Sequence, residues 1–317
     1  MSTPASGRDA NDRPRGLGPA GVALLLVTTL VTFGAIWSDW TPLLRGPAPY
    51  PPEWRWWLRE EPMFGRWLPL AVPILAWLLL LGFTATALAR RHARLAARLV
   101  LAGGVLAGWG LGLGLLAQEP AGALRTLLAH TLSRTINSYY TVAISPQARD
   151  PRAFLAQHAT LLPGFRKTAK HAATHPPGPV LFYRGLIALC ERSPRLTSQT
   201  LRAASVEAAE RPDSLHTPAS RAAAMLGGLL LGLLAAATAW PTAALARRLG
   251  CGDLAAARVG LVWVMVPGPL LFAPLLDPAL ALPVTLATAT LWAALARETA
   301  SRAVVSWACR TDVAAAA

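Results

Sequence analysis

Six stretches of this chain carry no charged side chain: residues 16–37, 68–89, 99–117, 222–246, 259–276 and 279–296. A helix needs about 20 apolar residues to cross the hydrocarbon of a bilayer, with about 17–25 observed, so each stretch qualifies as a span. The last two are short, and LLDP at 275–278 supplies the turn between them. With 54% hydrophobic and 15% charged residues, the composition agrees with the runs. The expected fold class is an all-α polytopic membrane protein with about six transmembrane helices. In the third span Gly104, Gly108 and Gly112 recur every four residues. That spacing lets a neighbouring helix come close, although a generally glycine-rich apolar helix would look the same.

Arginines set the orientation. With the N-terminus inside, the inner segments 1–15, 90–98, 247–258 and the tail from Arg297 hold 3, 4, 3 and 3 arginines. The outer loop 38–67 has four in 30 residues, a lower density, as the excess of Lys and Arg on cytoplasmic segments requires. The organisation is then a cytoplasmic tail (1–15), three spans with their outer loop (16–117), an extracytoplasmic loop (118–221), three spans (222–296) and a cytoplasmic tail (297–317). SWACRTDVAAAA at 306–317 is unlike a domain end and reads as a truncation or a shifted reading frame.

The formal charge of +14 does not point to nucleic acid. Nearly all the basic residues are arginines at span ends, and no aromatic-basic binding module accompanies them. Cys190, Cys251 and Cys309 are too few and too scattered for a disulfide framework. No cleavage site follows the first apolar run, which reads as a retained anchor. Half of the twelve tryptophans fall between Trp37 and Trp67, as an outer aromatic belt or, for one of them, a sugar-stacking face.

Within 118–221, PVLFYRGLIALC at 179–190 is too short to span and suits an interfacial helix. ALRTLLAHTL at 123–132 carries one apolar stripe. Either could equally pack on the protein itself. Five of six histidines and both lysines lie in this loop, concentrated in FRKTAKHAATHPPG at 165–178. Arg166, Lys167, Lys170, His171 and His175 form either a solvated basic loop or a clamp for the phosphate of a lipid-linked donor. HxxxH at 171–175 lacks the glutamate of a zinc protease, and Pro176-Pro177 ends any helix there.

A general base would come from the outer carboxylates. Asp39, between Trp37 and Trp40 just past the first span, is one candidate, with pairing to Arg45 as its ordinary role. Asp150 before Pro151 is another, otherwise a helix cap or turn residue. Asp277, in LLDPAL, has the same turn explanation.

SYYTVA at 138–143, the acid–proline step at 150–151 and THPPGPVLFY at 174–183, followed by a span ending ALARRLG, come in an order that resembles the GT-C class of membrane glycosyltransferases. The likeness covers 137–296 and is nearest the branch of protein O-mannosyltransferases and lipid A aminoarabinose transferases. That branch has a His-(Lys/Pro)-Pro motif on its outer face. The resemblance implies an integral protein of a bacterial inner or plasma membrane whose active site is extracytoplasmic. It would transfer a sugar, with inversion, from a polyprenyl-phosphate donor to an acceptor hydroxyl that the sequence does not identify. Asp39 or Asp150 would be the catalytic base, Arg166, Lys167, Lys170, His171 and His175 would hold the donor phosphate, and Tyr139 and Tyr140 would touch substrate. No cofactor is identified, and the need for a divalent metal is open. Two departures stand out: the spans 68–89 and 99–117 separate Asp39 from His175, and the position before SYYT is Asn137 rather than an acid.

The alternatives are a transporter, which would bury ionisable groups in mid-span, and a non-catalytic membrane assembly subunit. Clean spans with the polar chemistry gathered on one outer loop disfavour the transporter.

Overall fold

Thr84 and Thr86 end the first helix of the computed structural model early. The Thr84 hydroxyl donates to the Leu81 carbonyl at 2.6 Å, and the Thr86 hydroxyl donates to Phe83 at 2.9 Å. Thr86 then caps a new short helix, accepting from the Ala89 amide. Side chains that compete with the backbone in this way favour helix ends. The expected span 68–89 is therefore a 16-residue helix, α1 (Leu68–Phe83), followed by the short α2 (Ala87–Arg91).

The structure describes residues 68–204, 216–266 and 276–315, with side chains as far as 296 and isolated positions at 24, 27–28, 30–31 and 268. The outer loop 38–67, Asp39 included, lies outside the described residues, and most of the first expected span does too. Two compact units divide the chain, Met1–Met63 and Phe64–Ala317, and all helices named here belong to the second.

Every described element is helical. After α1 and α2 come α3 (Ala93–Leu116), α4 (Ala123–Leu132), α5 (Ser138–Ala143), a 3-10 turn at Pro146–Ala148 and α6 (Pro151–Thr168). Next are α7 (Lys170–Thr174), α8 (Gly178–Arg192) and α9 (Pro194–Ala203). The remaining helices are α10 (Pro218–Ala237), α11 (Ala239–Arg248), α12 (Asp253–Val264) and α13 (Leu276–Ala315). Among the described residues three segments are long and apolar enough to cross a membrane: Ala93–Leu116, Pro218–Arg248 and Leu276–Ala296. The chain is thus an all-helical, membrane-associated protein; of the six expected spans, three are helices of crossing length among the described residues, and most of the first and part of the fifth lie outside them. At 12 residues α12 rises only about 18 Å, too little to cross alone.

Two buried clusters organise the unit. One lies among α3, α10, α11 and α12 and includes Val100, Leu101, Val105, Ala239, Ala243 and Leu261. A Cβ on Gly104 would overlap Leu261, and one on Gly108 would lie 2.7 Å from the Val264 Cβ, so these two glycines admit α12. Gly112 meets nothing within 4 Å, so the close approach ends one turn earlier than the spacing suggested. Indole N–H groups tie the helices together: Trp77 donates to the Leu261 carbonyl, Trp109 to Leu229 and Trp263 to Ala235, at 2.9–3.1 Å.

The second cluster joins α4–α9 to the first half of α10 and the start of α13, with Leu127, Tyr140, Phe154, Tyr183, Met225 and Leu276 inside it. Both apolar segments of the long loop pack here. α8 buries Val180, Tyr183, Ile187 and Cys190, and α4 buries Leu127 and Leu128. Of the two readings open to them, packing on the protein is the one adopted.

Connections between the clusters define two ends. At one, Arg258 Nε donates to Thr84 Oγ1 at 2.7 Å, and Arg248 donates to the Ala289 carbonyl at 2.6 Å. At the other, α13 begins with buried Leu276 inside the second cluster. Residues 277 and 289 stand about 18 Å apart along α13 at the rise of a helix, so the arginine end and the loop end are opposite.

Candidate functional site

The HPPG element is the hinge between α7 and α8. His175 is extended (φ −121°, ψ 159°), as a residue before proline prefers, and Pro177 caps α8. Because the chain turns there, the His175 ring leaves the α7 axis. Its Nδ1 lies 3.0 Å from the His171 carbonyl and 3.1 Å from Thr174 Oγ1. Nδ1 therefore donates to the His171 carbonyl or accepts from the Thr174 hydroxyl according to the tautomer, and in either case Nε2 is left to face outward.

What Nε2 faces is Asp277. The Asp277 Oδ1 lies 3.4 Å away, in the first turn of α13. Nε2 donates to this carboxylate when it carries the ring proton. The His175 side chain is 29% exposed and that of Asp277 55%, so the pair is at a surface but not free in solvent.

Tyr139 closes the third side. Its ring meets His175 edge-on at 5.5 Å between centroids and lies 6.3 Å from His171. The residue is only 3% exposed, and its hydroxyl has no hydrogen-bond partner among the described residues. Burial, and then the negative charge of Asp277, push the Tyr139 phenol up to about 12. At neutral pH it is a proton-bearing donor with an unfilled hydrogen bond, an uncommon and costly state for a buried group.

Tyr140, one residue on, points the other way. It is fully buried, edge-on to Tyr183 at 5.6 Å and stacked on His216 at 6.1 Å. It is a core residue, beyond the reach of a substrate. Asn137 is structural too. It caps α5 through the Tyr140 amide, and its Nδ2 donates to the Tyr183 hydroxyl at 2.7 Å. That burial raises the Tyr183 phenol well above its usual range.

Arg166 and Lys167 occupy the last turn of α6, and Lys170 opens α7. All three are exposed, and none forms an ion pair among the described residues. Five steps of chain from Lys170 to His175 put the Lys170 backbone within about 8 Å of the hinge at helical rise, while Arg166 and Lys167 lie across the break at Ala169. Asp150 is elsewhere. Its carboxylate accepts from the Arg152 and Ala153 amides at 2.8 and 3.3 Å, capping the opposite end of α6. Sixteen residues of helical rise set it about 24 Å from Arg166, out of hydrogen-bond reach of anything the cations hold. The structure therefore does not join Asp150 to the basic cluster, and it brings in Asp277 instead. A turn reading of LLDP gave no sign of this, because the partner of Asp277 lies about a hundred residues earlier.

Among the described residues no three His, Cys, Asp or Glu side chains gather where they could hold a metal ion. Comparison with family models, with curated proteins and with solved structures finds no match for this chain.

Proposed function

We propose that this protein is a membrane glycosyltransferase that moves a sugar from a polyprenyl-phosphate donor to an acceptor hydroxyl, with Asp277 as the base. The observation that carries the reading is the meeting of His175, Asp277 and the Tyr139 ring near exposed cations. His175 holds Oδ1 of Asp277 through Nε2 and leaves Oδ2 to the acceptor. The acceptor O–H bond breaks and its proton passes to Oδ2. The oxygen forms a bond to the anomeric carbon from the face opposite the phosphate. The anomeric C–O bond then breaks, and its electron pair leaves on the lipid phosphate. Arg166, Lys167 and Lys170 stabilise that departing charge, so a strong general acid is not required.

Six crossings with the site outside accompany this reading. Support comes from the two ends of the described unit. Asp253 sits with the arginines and Leu276 with the loop cluster, so these two positions mark opposite ends of the unit. α3, α10–α11 and α13 also run end to end, and arginine density favours the cytosol for their shared arginine end.

The test is turnover of a labelled polyprenyl-phosphate sugar by the purified full chain in lipid nanodiscs, with a panel of hydroxyl acceptors. Wild type releases lipid phosphate, and Asp277→Asn lowers the rate at least about 100-fold, the usual contribution of a positioned base. Equal rates in the two proteins, or no release by wild type with any acceptor, contradict the proposal.

A further inference from the structure

At the arginine end a cavity of about 340 Å³ opens between α3 and α11, lined by Arg94, Ala97, Arg98, Leu101, Trp240, Arg247 and Asp253. Its lining is graded by depth. Arg94 and Leu101 lie on one stripe of α3 about 10 Å apart, and Trp240 and Arg247 are spaced alike on α11. The two helices run in opposite directions here, so Arg94 and Arg247 share the mouth, with Asp253 beside them. Leu101 and Trp240 form the floor, and Arg98 stands between.

The charge is unbalanced. Three guanidinium groups face one carboxylate, and the single ion pair, Arg94 Nε to Asp253 Oδ2, is long at 3.9 Å with Arg94 91% exposed. Neither Arg98 nor Arg247 has an ion-pair partner among the described residues. Neighbouring arginines are used differently: Arg248 and Arg258 each hydrogen-bond across to another helix. Around the cavity the exposed side chains are apolar, with Leu95 and Leu99 on α3, Trp240 itself and Leu249 all more than half exposed.

We infer that this cavity is a binding site for the headgroup of an anionic glycerophospholipid from the arginine-end leaflet. The phosphodiester sits between Arg98 and Arg247, and the acyl chains pass over Trp240 and the exposed leucines. A bidentate guanidinium contact suits a phosphate oxygen pair, and a basic pocket between spans at a membrane surface suits an anionic headgroup. Free phosphate would satisfy the arginines but has no use for the apolar floor. The inference does not depend on the glycosyl-transfer reading.

Native mass spectrometry of the detergent-purified full chain, titrated with phosphatidylglycerol, phosphatidylcholine or inorganic phosphate, tests it. Phosphatidylglycerol is expected to bind in preference to the other two. Replacing both Arg98 and Arg247 by Gln should weaken it about thirtyfold, at about 1 kcal/mol per arginine near a membrane. Asp253→Asn, which removes the one opposing charge, should tighten it. This second variant keeps the test decisive if the first fails to fold. Inorganic phosphate binding as tightly as the lipid, equal retention of phosphatidylcholine, or no gain in Asp253→Asn overturns the inference.

Discussion

The two ends of this helical unit use ionisable groups in opposite ways. At the loop end the three groups that meet at the hinge are held in place by packing. His175 is pinned through Nδ1, Tyr139 is almost wholly buried, and Asp277 is delivered by a helix that starts inside the core. At the arginine end they are many and exposed, and the residues around the cavity have little to hold them. Packing that holds a carboxylate beside an imidazole suits chemistry on a bond. Exposed guanidinium groups over an apolar floor suit a headgroup that need only be retained. The contrast teaches that charge alone does not mark the chemical end, since exposed cations occur at both ends and only one of them holds a packed histidine–carboxylate pair.

The sharpest way to break the comparison is at the loop end. If its packing serves catalysis, His175→Ala should lower turnover of the labelled donor by about 100-fold or more and displace its pH profile, because His175 holds Asp277. The paired replacement at the arginine cavity should leave the rate per folded molecule within about threefold, a surface change away from the reacting groups. Similar losses at both ends would abolish the distinction.

Stability separates the ends next. Tyr183→Phe leaves the buried Asn137 amide without its acceptor and should cost about 1–3 kcal/mol, read from thermal unfolding in detergent. Asp150→Ala should cost about 1 kcal/mol through the lost cap of α6, with turnover per folded molecule unchanged. A large loss of turnover in that variant would restore Asp150 as a base.

A further effect is in pH. A phenol raised from 10.0 to about 12 in the folded protein contributes stability that is complete below pH 10 and disappears as pH climbs through about 12. Wild type should therefore lose stability across that window, and Tyr139→Phe should lose less.

How much of this was legible follows from the range over which each signal acts. Hydropathy and arginine placement are local, so the membrane class and the arginine-rich ends could be read directly. The break at Thr84–Thr86 was missed because an apolar run does not reveal hydroxyls bonding back to the helix. The HPPG element was visible as a motif, and so were the cations near it. The carboxylate was not: Asp277 meets His175 only because α13 returns to the loop cluster, and no spacing in the sequence encodes that. Tyr139 and Tyr140 are adjacent in sequence but about 100° apart on a helix, so one faces histidine and the other the core.

The most direct test of the account is which side of the membrane each end faces. Lys170→Cys and Arg94→Cys, each made with Cys190, Cys251 and Cys309 replaced by serine, can be exposed to a membrane-impermeant maleimide on intact cells. Labelling of position 170 and protection of position 94 until the membrane is opened is the expected result. Labelling of both from outside, or of position 94 alone, would place the two ends on the wrong sides and contradict the account.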